Sequence, residues 1–594
     1  MDGREVNMPN AGSKRGGWIT FTFITGLSLS LSLSHTHTHM RAQNVLGWPN
    51  TLVVSMHVIT GAVAGLTLAT GGWLSNLIVY LIQEFNVKSI NAAQISNIMN
   101  GCINLFPVIG AIVADSFIGS FFVASISACI SLMGIVLLEL TATLDSLRPQ
   151  SCDDGSSLCT PPSKVQYAIL YTALALACIG CGGTRFTLAT MGANQFDKPN
   201  DQGRFFNWYF FTLYTSSAVS STAIVYIEDN LSWRLGFGLS AIANFIGLAF
   251  LLLGNRFYLH VKPHGSPFTG LVRVIVATIR KRKVQLSSKT EDYYYGQDGI
   301  AEIPPPSKKR FRFLDRAALK TEGDVQSDGS VAKPWRICTM KQVEDLRNLM
   351  RILPLWSTGV FLSTPIGILS SLTILQALTM DRSFGPNFKI PSGSIMVLVL
   401  IWTSISLTII DRFLCPMWQK LTGSSPTPLQ RIGVGHVLNT LSMLTSALVE
   451  SKRLKIAHAH HLREQPSSVV PMSVLWLVPQ LALVGIGEAF HLPGQVELYY
   501  QEFPTSLKTT STAMISMIIG IAYYLSTALI DLVRRVTGWL PDNLNDGRVD
   551  NVYWALVVVG VLNFGYYLMC ACSYRYQNVG KGSEDAALIN DADG

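Results

Sequence analysis

Two ionisable residues stand inside long apolar stretches of the sequence. Arg185 follows a pair of glycines in GGTRFT, and Glu488 follows a glycine-rich turn in VGIGEAFH. Because an ionisable side chain in hydrocarbon is costly, each such residue is a functional hypothesis by default. An arginine keeps its charge under burial and offers a planar fork of donors to oxygen atoms. A glutamate inside the membrane can bind a proton or pair with such an arginine.

Each of these polar residues also has a structural interpretation. Arg185 can reach from a helix end to the membrane surface, and Glu488 can stabilise a helix kinked at GIG. His491, close to Glu488, fits a hydrogen-bonded structural residue better than a ligand. Asn76 and Tyr209 are further candidates for binding a ligand, although such residues most often make hydrogen bonds between helices.

The elements that position these residues are long apolar helices. Of the 594 residues, 49% are hydrophobic and only 14% are charged, so lipid is the natural solvent of the chain. Continuous runs such as ACISLMGIVLLEL exclude a barrel of alternating strands. Blocks that reach the length of about 20 residues needed to cross a bilayer predict twelve helices. They lie at 53–82, 91–114, 120–143, 165–190, 206–227, 234–254, 347–376, 393–411, 428–450, 471–497, 508–533 and 551–573.

Basic residues collect in one long segment between the sixth and seventh helices. The segment 255–346 contains KRKV and PPPSKKRFRF, and its composition predicts a solvated linker with short helices at SPFTGLVRVIVATIRKRK and FLDRAALK. Since positive segments stay cytoplasmic, this linker and both termini are expected inside. The basic segment 450–464, expected as an outside loop, departs from that rule. The net charge of +8 belongs mainly to these segments and does not indicate nucleic-acid binding.

Several features lie outside the predicted membrane-spanning helices. Region 1–52 is expected to be disordered, and the repeats LSLSLSLS and HTHTH suggest retained intron sequence within 25–58. A cleaved signal peptide is the alternative, because basic residues precede an apolar stretch. Cys152 and Cys159 lie in one polar loop expected outside, as either a disulfide or two unpaired thiols. No metal-ligand set, nucleophile motif or phosphate-binding loop predicts an enzyme, a metal site or a cofactor.

The two predicted six-helix halves repeat one feature. In GAIVADSFIG, Gly110 and Asp115 stand at the end of the second helix, and in IIDRFLCPMWQKLTG, Asp411 and Arg412 stand at the comparable point of the eighth. Small residues let helices approach closely, while charged residues pair with neighbouring helix ends. These positions are therefore expected to lock one state of a two-bundle carrier.

Six longer motifs occur together in this chain. They are GGTRFTLATMGANQFD, FFNWYFF, KPWRICTMKQVEDLRNLMRILPLW, PTPLQRIGVG, VGIGEAFHLPGQVELYYQEFP and NLNDGRVDNVYW. In these motifs the chain resembles the plant nitrate and peptide transporter family of the major facilitator superfamily, closest to its nitrate-excretion-like subgroup. The resemblance covers nearly everything after residue 60. It implies an all-α fold with bundles at 53–254 and 347–573, the linker 255–346 between them, and a cytoplasmic tail at 574–594.

The resemblance also implies roles for individual residues. Arg185 matches a position where the family usually carries Lys, and Glu488 matches a glutamate of the central cavity. Proton-coupled members carry two carboxylates in an ExxER or ExxEK motif on the first helix, but here the motif falls at 63–67, VAGLT, without either acid. The histidine that some nitrate-transporting members use on the seventh helix is replaced by Ile366.

A cavity with a cation and no acid on the first helix attracts small anions. We therefore expect passive efflux of nitrate, with chloride as a further substrate, across the plasma membrane or, alternatively, the vacuolar membrane. The lipid bilayer and a small anion are the expected partners, and the chain is expected to be a monomer or a weak homodimer. The alternatives are a proton-coupled carrier of peptides or plant metabolites that titrates Glu488, and a nitrate-sensing regulatory protein.

Overall fold

The computed structural model describes residues 50–150, 161–196, 199–259, 267–287, 289–296, 311–321, 323–324, 335–385, 388–463, 468–503 and 508–574. Within these ranges, twelve helices are long and apolar enough to span a membrane. We number them as spans 1 to 12 in chain order. They are Met56–Ser75, Ser89–Val113, Ser120–Thr143, Lys164–Ala193, Trp208–Asn230, Trp233–Phe257, Met340–Leu378, Gly393–Thr422, Pro428–Ala459, Val474–Tyr499, Met514–Val536 and Val549–Ser573.

Several helices extend beyond these spans or complete them. The helix of span 1 begins at Asn50, and Leu77–Gln83 continues it. Span 5 belongs to a helix that begins at Pro199, span 10 to one that ends at Glu502, and span 11 to one that begins at Lys508. Two short strands pair in parallel. One is Met380–Asp381, between spans 7 and 8, and the other is Val470–Ser473, before span 10.

Spans 1–6 and spans 7–12 form two bundles with the same internal packing. In the first bundle, span 3 packs on spans 4 and 6, span 2 on span 4, and span 1 on spans 5 and 6. In the second bundle, span 9 packs on spans 10 and 12, span 8 on span 10, and span 7 on spans 11 and 12. Each contact thus recurs six helices later. Between the bundles, span 2 meets span 11 and span 5 meets span 8, as an internal twofold repeat requires.

Matching π-helical turns occur where the sequence repeat was expected. Ala114–Ile118 ends span 2, and Ile410–Leu414 interrupts span 8 near the same end of the molecule. A third π turn, Ser220–Ile224, interrupts span 5. Such turns are rare and concentrate at functional positions. Gly119, which follows the first of them, has a φ of 81°, a left-handed conformation that glycine adopts without steric cost.

The described part of the linker between the bundles contains short helices on the two segments where the sequence indicated them, and it packs against the second bundle instead of being solvated throughout. It contains a helix at Pro267–Arg280 and a 3-10 helix at Arg312–Ala317. Val274 and Ala317 are fully buried against the start of span 7. This span begins at Met340 rather than at 347, because Thr339 and Gln342 form a capping box there. The linker is therefore a packed layer at one end of the bundles, which we call the linker end.

Buried ion pairs hold this layer together. Asp324 accepts a hydrogen bond from Lys281 at 2.8 Å, and Asp315 pairs with Arg347. Burial opposes ionisation of Asp324, but Lys281 and the Thr321 hydroxyl outweigh it and lower the pKa of the carboxyl. The pair therefore stabilises the folded protein at pH values above the ordinary pKa of an aspartate. This stabilisation is lost as pH falls through the lowered pKa.

Span 9 is longer than the sequence indicated. The helix continues to Ala459, so the expectation of an outside loop from residue 450 was wrong. Glu450 and Arg453 are fully buried and form an ion pair at 2.7 Å. Gln376 donates to Glu450 at 2.6 Å, and Asn545 accepts from Arg453 at 2.7 Å. These partners satisfy both charges, which is why the helix tolerates them inside the bundle.

Some predictions fall on segments that the structure does not describe. They concern residues 1–49, which hold the dipeptide repeats, residues 151–160 with Cys152 and Cys159, and the tail from 575 to 594. The intron, disulfide and tail predictions therefore remain untested predictions.

Close helix packing gives a direct test of the first bundle. A Cβ on Gly180 of span 4 would lie 2.3 Å from the backbone nitrogen of Ser131 on span 3. We expect Gly180→Leu to separate these helices and to lower stability by more than about 1–3 kcal/mol. Thermal unfolding in detergent measures the change. The matched control is Gly238→Leu on span 6, where a Cβ meets no atom within 4 Å. Equal melting temperatures for the two variants would contradict the packing argument.

Candidate functional site

Close packing of glycines positions Arg185 on span 4. A Cβ on Gly182 would lie 2.5 Å from Phe106 of span 2, and one on Gly183 would lie 2.1 Å from the hydroxyl of Ser127 on span 3. These contacts fix the face of span 4 that turns toward its own bundle. Arg185, two residues later, is exposed, and its carbonyl accepts a hydrogen bond from the Tyr209 hydroxyl at 2.7 Å. Tyr209 thus ties span 5 to the backbone of span 4.

The charge of Arg185 lies near side chains of both bundles. It acts on the hydroxyls of Tyr214 in span 5 and of Tyr523 in span 11, and the charge of Glu488 acts on the same two hydroxyls. Both tyrosines therefore lie near both charged groups. Among the described residues, no carboxylate lies within ion-pair distance of Arg185, so the exposed guanidinium has no counterion in that part of the chain.

Glu488 occupies the middle of span 10 on the opposite wall. A Cβ on Gly485 would lie 2.8 Å from the carbonyl of Val399 on span 8, and one on Gly487 would lie 2.8 Å from Asn439 on span 9. The GIG sequence therefore provides close packing on both neighbouring helices. Glu488 is half-buried, and its carboxylate contacts the hydroxyl of Thr403 on span 8.

Span 1 contributes apolar packing where the proton-coupled motif would lie. Val63 and Leu66 are 3% and 5% exposed and belong to an apolar cluster within the first bundle. A Cβ on Gly65, between them, would lie 2.6 Å from the carbonyl of Ala243 on span 6. These positions serve helix packing and offer no titratable group to the cavity. On span 7, Ile366 is half-buried against the main apolar core.

Polar contacts between the bundles hold the end opposite to the linker, which we call the far end. Lys88 pairs with Asp542 at 2.7 Å, and Arg382 pairs with Asp229 at 3.3 Å. Arg534 donates to Asn91 at 2.5 Å. Within the described ranges, contacts between the bundles run from the far end past the middle of the membrane, where Cys102 meets Tyr524, to Leu105 and Gly520, where a Cβ on Gly520 would lie 2.7 Å from Leu105. We therefore expect the space around Arg185 to open toward the linker end.

The remaining predicted site residues lie elsewhere in the fold. Asn76 is 1% exposed. A Cβ on Gly393 of span 8 would lie 2.6 Å from the side-chain oxygen of Asn76, so Asn76 belongs to the contact between the bundles at the far end. Gly110 packs against Gly183 of span 4 with a Cβ distance of 3.3 Å. Asp411 and Arg412 are exposed in the π turn of span 8. The side chain of Asp115 lies outside the described part.

Among the buried polar groups that the sequence did not single out, Glu228 and His436 lie inside the membrane-spanning helices. Glu228, at the far end of span 5, is 2% exposed. His436 of span 9, also 2% exposed, stacks on Tyr567 of span 12 with a centroid distance of 4.5 Å. The signal for Glu228 was an acidic residue in the last turn of an apolar helix, which by itself does not distinguish a buried site from a solvated helix end.

Comparison with known proteins identifies the family. Residues 121–544 match the PTR2 model, which describes the POT family. The chain belongs to this family. Arabidopsis thaliana protein NRT1/PTR FAMILY 2.7 is 56% identical over 533 residues, covering 90% of this chain and 93% of that protein. Protein NRT1/PTR FAMILY 2.3 of the same plant is 51% identical over 571 residues, covering 96% and 94%.

The fold of this POT family member also matches solved structures. An auto-inhibited POT family peptide transporter superposes with a TM-score of 0.64 at 16% identity, covering 88% of this chain and 97% of that one. The predicted twelve-helix major facilitator fold and the predicted family are thus confirmed. The chain is a multi-pass membrane transporter and not an enzyme.

The direction in which the cavity opens can be measured by chemical labelling. We expect a cysteine at Arg185, in a background without reactive native cysteines, to react with a charged thiol reagent added at the linker end. Reagent added at the far end should not reach it, because the ion pairs there close the path. Sealed vesicles of both orientations distinguish the two cases. A cysteine at the fully buried Leu170 is the control and should resist both. Equal labelling of Arg185→Cys from both ends would contradict the assigned opening.

Proposed function

We propose that this transporter moves nitrate, and also chloride, by alternating access, as a passive efflux pathway with weak coupling to protons. The observation that carries this proposal is the exposed guanidinium of Arg185, which faces the space between the bundles without a carboxylate partner among the described residues. The far end closed by ion pairs and the cavity open at the linker end represent one state of the cycle.

The charge of the cavity supports an anionic substrate. A lone cation in a cavity of low dielectric constant raises the local concentration of small anions and repels cations. Arginine presents its donors in a plane, which matches the three coplanar oxygens of nitrate. Glu488 stands across the cavity at Thr403 rather than at Arg185, so it leaves the cation available to a substrate.

The apolar packing of span 1 supports weak proton coupling. A proton-driven carrier needs an acid that titrates and offsets the cation during the cycle, and Val63 and Leu66 instead complete a packed core. An anion then follows its concentration gradient and the voltage. One charge moving through 100 mV corresponds to about 2.3 kcal/mol, so a membrane negative on the linker side drives anions outward. The linker end is cytoplasmic in this proposal, and the plasma membrane is the proposed location.

A second candidate function rests on Glu488. Its carboxylate is the titratable acid of the cavity wall opposite Arg185, and the two charges reach the same tyrosines. A proton on Glu488 would let the chain carry small peptides or plant metabolites together with a proton. This carrier would show uptake that rises sharply as the pH at the far end falls.

Current recording in a heterologous cell separates the two candidates. Nitrate, chloride and a dipeptide are compared at two external pH values. We expect an anion current that depends on voltage and whose reversal potential does not change with external pH, because no proton moves with the anion. Arg185→Ala should lower the nitrate current at least about tenfold, equivalent to about 1.4 kcal/mol, because the cavity loses its attraction for anions. A dipeptide current driven by pH, with no nitrate current, would refute the passive anion pathway.

Two further variants control this experiment. Arg185→Lys keeps the charge and loses the planar fork, so it should retain more nitrate current than Arg185→Ala. Lys420→Ala removes one positive charge from the exposed linker end of span 8 and should leave the current unchanged. Surface expression of each variant is measured in parallel, so that loss of folded protein is not read as loss of transport.

A further inference from the structure

A buried carboxyl lies inside the closed far end and has no place in the cavity described above. Glu228 is in the last turn of span 5, on the helix Val225–Asn230, and is 2% exposed. Neither of its carboxyl oxygens makes a hydrogen bond of acceptable geometry with any residue that the structure describes. A charged carboxylate in such a site would be desolvated without compensation, at far higher cost than the neutral acid.

The walls around Glu228 come from both bundles. Asn76 at the end of span 1 is its polar neighbour. On span 6, a Cβ at Gly236 would lie 2.1 Å from the Glu228 side chain, so glycine leaves the space that the side chain fills. From the second bundle, the turn Gly393–Met396 contacts the helix Val225–Asn230, and a Cβ on Gly393 would lie 2.6 Å from the side-chain oxygen of Asn76. Ser392, before this turn, has a buried hydroxyl that also lacks a partner among the described residues.

The charged groups near this site do not neutralise a carboxylate. Asp229 adds a second negative charge to the environment of Glu228. Arg382, from the connection between spans 7 and 8, is paired with Asp229 at 3.3 Å. Arg234, at the start of span 6, is exposed. Spans 1 and 8 contribute amide, hydroxyl and glycine groups here. Within the described ranges, no cation pairs with Glu228.

We infer that Glu228 is a proton-binding site that closes the far end in its neutral form and favours opening when it ionises. Closure brings the Gly393–Met396 turn onto the carboxyl and removes it from water, so closure requires a proton. Opening withdraws this turn and hydrates the carboxyl, which then releases its proton. Acid at the far end therefore shifts the carrier toward the closed far end.

The position of the site decides where the proton goes. In the closed state Glu228 is 2% exposed and lies in the last turn of span 5, at the far end. The proton that enters on closing therefore leaves on the same side at the next opening. The site gates the cycle by pH without carrying protons across the membrane. This inference rests on the proposed alternating access of the bundles and does not depend on the identity of the substrate.

Single-molecule fluorescence transfer on the purified full chain in lipid nanodiscs tests the inference without substrate. Fluorophores attached through noncanonical amino acids at the exposed far-end positions Ser146 and His460 report the separation of the two bundles. Between pH 8 and pH 5, we expect the ratio of closed to open molecules to rise by at least about tenfold, as binding of one proton allows. Glu228→Gln mimics the neutral acid and should remain closed, with no response to pH.

Two controls separate this site from other acids. Glu139→Gln removes another glutamate near the far end, one that accepts a hydrogen bond from Thr143 at 2.9 Å, and should keep the pH response. Asp229→Asn breaks the pair with Arg382 and should favour opening at every pH while keeping the response. A wild-type ratio that does not change with pH, or a response that persists in Glu228→Gln, would overturn the inference. Failure of the nitrate proposal would appear in the current recordings and leave these distances unchanged.

Discussion

The charge of Arg185 in the space between the bundles is the interaction on which the proposed transport depends. A guanidinium there costs free energy unless water or an anion solvates it. The protein keeps it exposed to the cavity, and the apolar core at Val63 and Leu66 replaces the acids that would neutralise it. The cation therefore remains available to a ligand from the linker end. The proposed substrate charge, voltage dependence and weak proton coupling all follow from this arrangement.

The internal repeat is the structural basis of the proposed alternating access. Each packing contact of the first bundle recurs six helices later in the second, so the two bundles are similar bodies that meet through spans 2 and 11 and spans 5 and 8. Ion pairs such as Lys88 with Asp542 hold the far end together. Partly exposed pairs contribute little stability individually, so they close the far end without making that state permanent.

Buried charges in this protein fall into two groups with different consequences. Glu450 with Arg453 and Asp315 with Arg347 are paired, and they fix the second bundle and the linker in one arrangement. Glu228 is equally buried, but no cation pairs with it in the described part of the chain. A buried charge with a partner is stable in one fixed arrangement of the helices. A buried acid without a cation is stable only when it is neutral, so the arrangement around it depends on pH.

The sequence by itself determined the twelve helices, the two halves, the family and the candidates Arg185 and Glu488, because hydropathy and motifs are read along the chain. It also placed the repeat at Gly110 and Asp411, where the structure has π turns near the same end of the molecule. Only the tertiary structure decided which polar residues are buried and which face water. The extension of span 9 to Ala459, the packing of the linker and the enclosure of Glu228 all depend on partners distant in sequence. The free energy of a buried charge depends on these neighbours, and the spacing of residues along one helix does not show which residues of other helices they are.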